Sequence, residues 1–277
     1  MQWLKNGFVF TGIFFSKSYL NHALLCQVIL TTIAFSLVSS FVYILNDIVD
    51  RKSDRHHPKK MNRPIASEKV SIVSGATLAG FCGGAGLLLG GLVSYKVLII
   101  LLSYIILNIA YTYRLKHVVI LDVFCISAGF MLRILAGTVG VNIPPSKWLL
   151  LCSLLLTLFL GFAKRRAEIL ALGNNKEDHR KVLLNYGPIL LDEIIAICAA
   201  GVIISYSLYT MSAETVQIHK TENLIYTVPF VIYALFRYIF LLHHCQSGGD
   251  PTKDLIKDPH IVTSAIVWGI FTIYLFS

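Results

Sequence analysis

Eight apolar runs divide this 277-residue chain, each close to the about 20 residues an α-helix needs to cross a hydrocarbon layer. They fall near 21–45, 71–92, 96–112, 119–139, 147–163, 187–210, 224–243 and 260–277. Bilayer lipid offers backbone N–H and C=O groups no partner, so such runs must be helices that satisfy themselves. A ninth, shorter run at 7–15 comes first, preceded by Trp3 and Lys5, residue types that anchor at membrane interfaces. Only 14% of the residues are charged and 56% are hydrophobic, which is too apolar for a soluble domain. The expectation is an all-α, polytopic membrane bundle of about nine transmembrane helices, forming a single integral-membrane domain over 1–277. There is no internal repeat and no linker long enough to divide it.

Charge orients the bundle. With the N-terminus in the cytoplasm and nine crossings, eighteen of the 24 Lys and Arg residues fall on the cytoplasmic side. They lie around Lys5 and in the segments 46–70, 113–118, 164–186 and 244–259. Lys17, Lys96, Lys147 and Lys220 fall on the opposite side, and Arg133 and Arg237 lie within apolar runs. This bias predicts a multi-pass protein of the cell (plasma, inner) membrane with its rich loops in the cytoplasm. Cations confined to short loops between spans argue against a nucleic-acid partner. The six cysteines are scattered, mostly in apolar runs, without a CxxC pair, and read as small buried hydrophobes. The N-terminal MQWLKNGFVF has no small-residue cleavage site, so no signal peptide is expected.

The most polar stretch, 46–67, reads NDIVDRKSDRHHPKKMNRPIAS. If the preceding helix continues, steps of about 100° per residue set Asp50 about 60°, and Asp54 about 20°, from Asp47. Asn46 and Asp50, four apart, share a face as well. Clustered carboxylates repel one another unless a cation sits between them. A hard ion such as Mg2+ suits oxygen ligands and completes its shell with water and substrate phosphates. Asn46, Asp47, Asp50 and Asp54 are therefore candidate metal ligands, and the interleaved Lys59, Lys60 and Arg63 are candidates for phosphate oxygens. A solvated, charge-balanced loop explains the cations but leaves the spacing of the acids without a reason. His56 and His57 have no metal-ligand spacing.

Two further stretches carry charge where apolar residues are expected. In 111–137, Asp122 and Arg133 lie three turns apart, within about 20° on one helix face, with Gly129 between them. Charges inside a span usually face a bundle interior or a polar cavity. In FAKRRAEILALGNNKEDHRKVLLNY, Lys164 and Glu168 are spaced i,i+4, and Arg165 and Arg180 add capacity for phosphate. The glycines Gly83, Gly84, Gly86, Gly90 and Gly91 permit close helix packing, within one protomer or in a homo-oligomer.

NDIVDRKSD matches the NDxxDxxxD aspartate motif of the UbiA-type intramembrane prenyltransferase superfamily. The longer run to Ser67, the opening QWLKN, YRLKHVVILDVFCISAGFMLRILAG, KRRAE and GGDPTKDLIKD together resemble one branch, the decaprenyl-phosphate phosphoribosyltransferases. The likeness covers nearly the whole chain. The chain departs from typical prenyltransferases where they carry a second DxxxD motif; here Glu168 is the main acid, which disfavours a second metal and a prenyl-diphosphate donor.

The resemblance implies a UbiA-like bundle with a polar mouth on the cytoplasmic side and a Mg2+-dependent transferase. Asp47, Asp50 and Asp54 would be its catalytic acids. Phosphoribosyl diphosphate would be the donor, and polyprenyl phosphate from the lipid bilayer would attack C1 of the ribose. Lys59, Lys60, Arg63, Lys164 and Arg165 would hold phosphate oxygens, Asp122 ribose hydroxyls or metal, and Lys5 the lipid phosphate. Arg133, Glu168 and Arg180 are further substrate-binding candidates. Two alternatives stand beside this. One is a superfamily prenyltransferase that moves a prenyl chain to an aromatic or lipid acceptor. The other is a transporter or lipid-binding membrane protein, which would use intramembrane charge without releasing diphosphate.

Overall fold

The computed structural model describes residues 2–55, 60–172, 186–244 and 257–276. Their regular elements are all helices, without a strand. The eight long helices are α1 (His22–Val49), α2 (Ile72–Val93), α3 (Tyr95–Tyr113), α4 (Leu121–Ala136), α5 (Lys147–Leu172), α6 (Pro188–Met211), α7 (Val228–His244) and α8 (Pro259–Phe276). Their starts follow local chemistry. Asn21 Oδ1 accepts from the Ala23 and Leu24 amides, the Ser71 and Ser94 hydroxyls accept from Ser74 and Val97, and Pro188 opens α6 where no amide donor is needed.

Eight helices, not nine, are long and apolar enough to cross a membrane among the described residues. The short first run is a 3-10 helix, Gln2–Phe10, followed by one α-turn, Thr11–Phe15. It runs antiparallel to α1: Trp3 Nε1 donates to Ser40 Oγ at 3.3 Å and Asn6 Nδ2 to Ser36 Oγ at 2.8 Å. Ser40 precedes Asp50 by ten residues, so the segment is first seen about 15 Å in from the acidic end of α1. It lies along the helix for part of its length, too short to count as a ninth full crossing.

The residues divide into two compact units, one comprising 1–116 and 128–145, the other 117–127 and 146–277. In the first, α1 and α2 pack antiparallel. Gly75 faces Ile44 and Ile48, Gly83 faces Phe41, and Gly86 faces Val38. At Gly86 a Cβ would lie 2.9 Å from the Ala34 carbonyl oxygen, so only glycine admits this approach. Gly83, Gly86 and Gly90 are thus used within the protomer, whereas Gly84 faces open space. The core is built from Val28, Phe35, Val38, Val42, Leu101 and Tyr104. After α4, the chain bends at Gly137 against the Val9 carbonyl, where a Cβ would collide with that oxygen. Ser94 Oγ donates to the Gly140 carbonyl at 2.6 Å, tying this bend to the start of α3.

In the second unit α5 packs on α6, with Leu155 seated on Gly201, and α7 packs on α8, where Ser264 Oγ donates to the Phe230 carbonyl at 3.0 Å. Tyr206 links three elements: its hydroxyl pairs with Thr227 Oγ1 at 2.7 Å and accepts from Trp268 Nε1 at 2.8 Å. The Val123 side chain, from the first turn of α4, fills the space left at Gly161.

Two helices run well past the ends that hydropathy gives them. α1 continues to Val49, carrying Asn46 and Asp47 on its last turn, and α5 continues to Leu172, so KRRAEILAL is helix rather than loop. Charged residues at a membrane boundary end the apolar run before they end the hydrogen-bond ladder.

Candidate functional site

The acidic stretch bends without losing its helical register. Asp50 caps α1, its amide bonded to the Asn46 carbonyl at 2.8 Å, and a short helix, Arg51–Arg55, follows with the Asp54 amide on the Asp50 carbonyl at 2.9 Å. Asp47 and Asp54 therefore come from two successive elements, and a single nitrogen joins them. Arg63 Nη1 lies 2.8 Å from Asp47 Oδ1 and 2.8 Å from Asp54 Oδ2. Lys60 Nζ is 4.0 Å from Asp54 Oδ1. Asp54 is 3% exposed, while the Arg63 side chain is 38% exposed, so the pair has a buried acid and a solvent-reachable base.

Asp50 takes a different partner, Lys116 Nζ at 2.9 Å, and Asn46 Oδ1 accepts from the Thr112 hydroxyl. Both come from the end of α3 and the 3-10 turn after it. Sequence reasoning counted Lys116 only as a topological charge and passed over Thr112. The charge bias had put Lys116 on the side of the acids; nothing in the spacing paired it with Asp50.

The oxygen-only set of Asn46, Asp47, Asp50 and Asp54 is of the kind Mg2+ prefers. Two of its carboxylates already converge on a point held by positive charge, Arg63 Nη1. No three acidic, imidazole or thiol side chains among the described residues converge tightly enough to enclose an ion, and Asp50 is paired with Lys116. The donor set fits a hard cation, with side-chain cations now in contact with its acids.

In the second unit Asp122 is fully buried, and both its oxygens are engaged. Arg165 Nε donates to Oδ2 at 2.8 Å and the Tyr186 hydroxyl to Oδ1 at 2.7 Å. The Ile120 amide donates to the Tyr186 oxygen, and Ile120 sits at φ 69°, a left-handed conformation costly for a β-branched residue. Burial and the bond to the Asp122 carboxylate raise the Tyr186 pKa, so its proton stays in place. Arg165 Nη1 also reaches Glu168, whose side chain is 28% exposed. The partner of Glu168 is thus Arg165 at i,i+3; Lys164, four residues before it, is exposed. Tyr186 carried no signal in the sequence.

Arg133 and Asp122 share a helix but not a partner. Arg133 is 3% exposed in the first unit. Its Nε donates to Asn6 Oδ1 at 2.8 Å, Nη1 to the Gly129 carbonyl at 2.7 Å and Nη2 to the Tyr104 hydroxyl at 2.9 Å. The guanidinium carbon lies 5.0 Å from the Phe35 ring centroid and 4.8 Å from that of Tyr104. Acceptor dipoles and ring faces thus surround this intramembrane cation. Lys5 is exposed, beside Asn6 on the same 3-10 helix.

Two more ion pairs escaped the sequence reading. Arg166 joins α5, α6 and α7 by donating to Asp192 and to the Leu242 carbonyl, the latter at 2.7 Å. Arg237 reaches Asp258 at 2.8 Å, and the Asp258 carboxylate caps α8 by accepting from the Ile261 amide at 3.0 Å. An acid or a base inside an apolar run was the available signal for Asp192 and Arg237. Lys59 and Arg180 lie outside the described residues, as do His56, His57 and most of GGDPTKDLIKD.

A family model for the UbiA prenyltransferase family matches residues 7–253. The chain is 29% identical to the decaprenyl-phosphate phosphoribosyltransferase of Mycolicibacterium smegmatis, over 96% of this chain and 87% of that one. It is 30% identical to the protein of the same name from Corynebacterium glutamicum, over 96% and 81%. Among solved structures, a UbiA homolog from Archaeoglobus fulgidus bound to GPP and Mg2+ superposes with a TM-score of 0.70 at 16% identity, covering 100% of this chain and 98% of that one. The apo UbiA homolog from Aeropyrum pernix K1 gives 0.70 at 13%, covering 96% of each. Eight apolar helices, an acidic cluster at the end of the first and a family match over most of the length lead to one conclusion: the chain is a multi-pass membrane transferase belonging to the UbiA prenyltransferase family.

Proposed function

We propose that the protein, acting over its whole length as one transferase domain, moves 5-phosphoribose from phosphoribosyl diphosphate to a long-chain polyprenyl phosphate in a Mg2+-dependent reaction. The bond from ribose C1 to the diphosphate oxygen breaks, and a bond from C1 to an oxygen of the lipid phosphate forms. The products are polyprenyl-phosphoryl-5-phosphoribose and diphosphate. The observation that carries this reading is the meeting, at the end of α1, of three carboxylates with Lys60, Arg63 and Lys116. The relatives' name supports the choice of donor and acceptor.

Asn46, Asp47, Asp50 and Asp54 would hold the Mg2+. When bound, the ion supplies Lewis acidity that makes diphosphate a better leaving group. Lys60, Arg63 and Lys116 hold phosphate oxygens, and the cluster positions the donor as positive charge develops at C1. No general base is needed, since the acceptor phosphate is already an anion. In the second unit we assign Asp122 and Arg165 to positioning the part-exposed Glu168 carboxylate, which together with exposed Lys164 would meet a ligand. We assign Arg133 to securing the N-terminal segment, and Lys5 to the acceptor's phosphate. The charge bias supports a plasma-membrane location with the acidic cluster facing the cytoplasm.

A second reading is favoured by the solved A. fulgidus homolog, which holds GPP with Mg2+: the same acids would serve a prenyl-diphosphate donor. The purified protein should be given labelled phosphoribosyl diphosphate or geranylgeranyl diphosphate, with polyprenyl phosphate and with aromatic and glycerol-lipid acceptors. The proposal expects Mg2+-dependent transfer of phosphoribose label into an organic-extractable lipid. Label entering only from the prenyl donor selects the second reading, and transport without diphosphate release would overturn both.

A further inference from the structure

Each acidic group of the cluster is matched to a cation of the chain itself. Arg63 bridges Asp47 and Asp54, Lys60 lies near Asp54, and Lys116 holds Asp50. Among the described residues, three carboxylates face three cations, so their formal charges cancel without any ligand. Arg63 binds through one nitrogen shared by two acids rather than as a bidentate fork on one acid. It reaches them from the turn after the 3-10 helix Lys60–Asn62, with its side chain 38% exposed, so it is able to turn away while its acids stay on helical elements.

From this geometry we infer a counter-ion exchange: a divalent cation takes the carboxylates from Arg63 and Lys116, and the released guanidinium and ammonium groups then bind the phosphate oxygens of the incoming diphosphate. The inference rests on the metal–diphosphate reading proposed above and adds the order of charge pairing. A divalent cation alone must displace two cations already paired with these acids, so it binds weakly. A diphosphate alone meets carboxylates that still hold the basic groups it needs. Bound together, every charge finds a partner of opposite sign. Coupling of this kind is reciprocal between the two ligands.

The inference has a signature that a merely structural role for Arg63 lacks, because removing the side chain should act with opposite sign on the two binding events. The probes are Mn2+, followed by its paramagnetic resonance, and inorganic diphosphate, with the full chain in detergent micelles or nanodiscs. In Arg63→Gln, Mn2+ alone should bind about 5- to 10-fold more tightly than in the native protein, because its competitor is gone. In saturating Mn2+, diphosphate should bind about 10-fold more weakly, because a phosphate partner is gone. Lys116→Gln, which frees Asp50, should show the same inversion and carries the test if Arg63→Gln does not fold. Weakening of both events, or no change in Mn2+ affinity, would overturn the exchange. Neither probe contains ribose or lipid, so the exchange can hold while phosphoribosyl transfer fails, and the reverse.

Discussion

Arg165 Nε lies 2.8 Å from Asp122 Oδ2, with the Arg165 side chain 4% exposed and that of Asp122 fully buried. Removing Asp122 leaves the buried guanidinium with Glu168 as its remaining carboxylate, at a cost of about 1–3 kcal/mol, below that of a fully stranded charge. Asp122→Asn should therefore lower the unfolding free energy in detergent by roughly that amount. Asp122→Leu combined with Arg165→Met should recover most of it. A single variant as stable as the native protein would show that the pair does not hold this unit together.

Asp50→Asn is expected to keep the fold and lose turnover. Its side chain is 30% exposed and meets one cation, so the stability change should be about 1 kcal/mol or less. The transfer rate should fall about 100-fold or more, the scale seen when one preorganised charge-stabilising group is removed. Native turnover in the purified variant, measured as diphosphate release, would end the metal-ligand assignment.

Metal removal gives a separate check. Chelation should abolish transfer of labelled phosphoribose to lipid, and added Mg2+ should restore it, while Ca2+, larger and more loosely coordinated, should restore little. Transfer that persists in chelator would remove the metal from the proposed reaction.

Arg133→Met tests the N-terminal clamp. It deletes the donor to Asn6, 127 residues away in the chain, and leaves that amide oxygen buried without its bond, at a cost of about 1–3 kcal/mol. Hydrogen exchange should rise in Gln2–Phe10 before it rises in α1. Unchanged protection of that segment would show that other contacts secure it.

Asp258 supplies a pH dependence. The Arg237 hydrogen bond, with the Ile261 amide, holds its carboxyl below the ordinary carboxylate range. A depressed acid stabilises the folded state fully above its unfolded pKa of about 3.9, and the contribution is lost as pH falls through the folded value. Native protein should thus melt higher than Asp258→Asn at neutral pH. The gap should narrow only below about pH 4. A gap that stays constant from neutral pH to pH 3 would assign the effect to capping alone.

The division between chain and fold is clearest at the acids. Helical spacing put Asp47, Asp50 and Asp54 on one side of one element, and the register survives the bend at Asp50. Spacing along a single helix is a local property, fixed by backbone geometry, and a sequence displays it directly. The same holds for the eight membrane helices, because transfer into hydrocarbon depends on composition within one window.

Which cation meets which acid was settled only when helices packed. Lys116 reaches Asp50 across 66 residues, and Arg165 reaches Asp122 across 43 while also holding Glu168. Asp122 and Arg133, on one face of one helix, went to separate partners. Charge pairing over a few ångströms depends on where side chains from distant segments are carried, and hydropathy and periodicity hold no record of that.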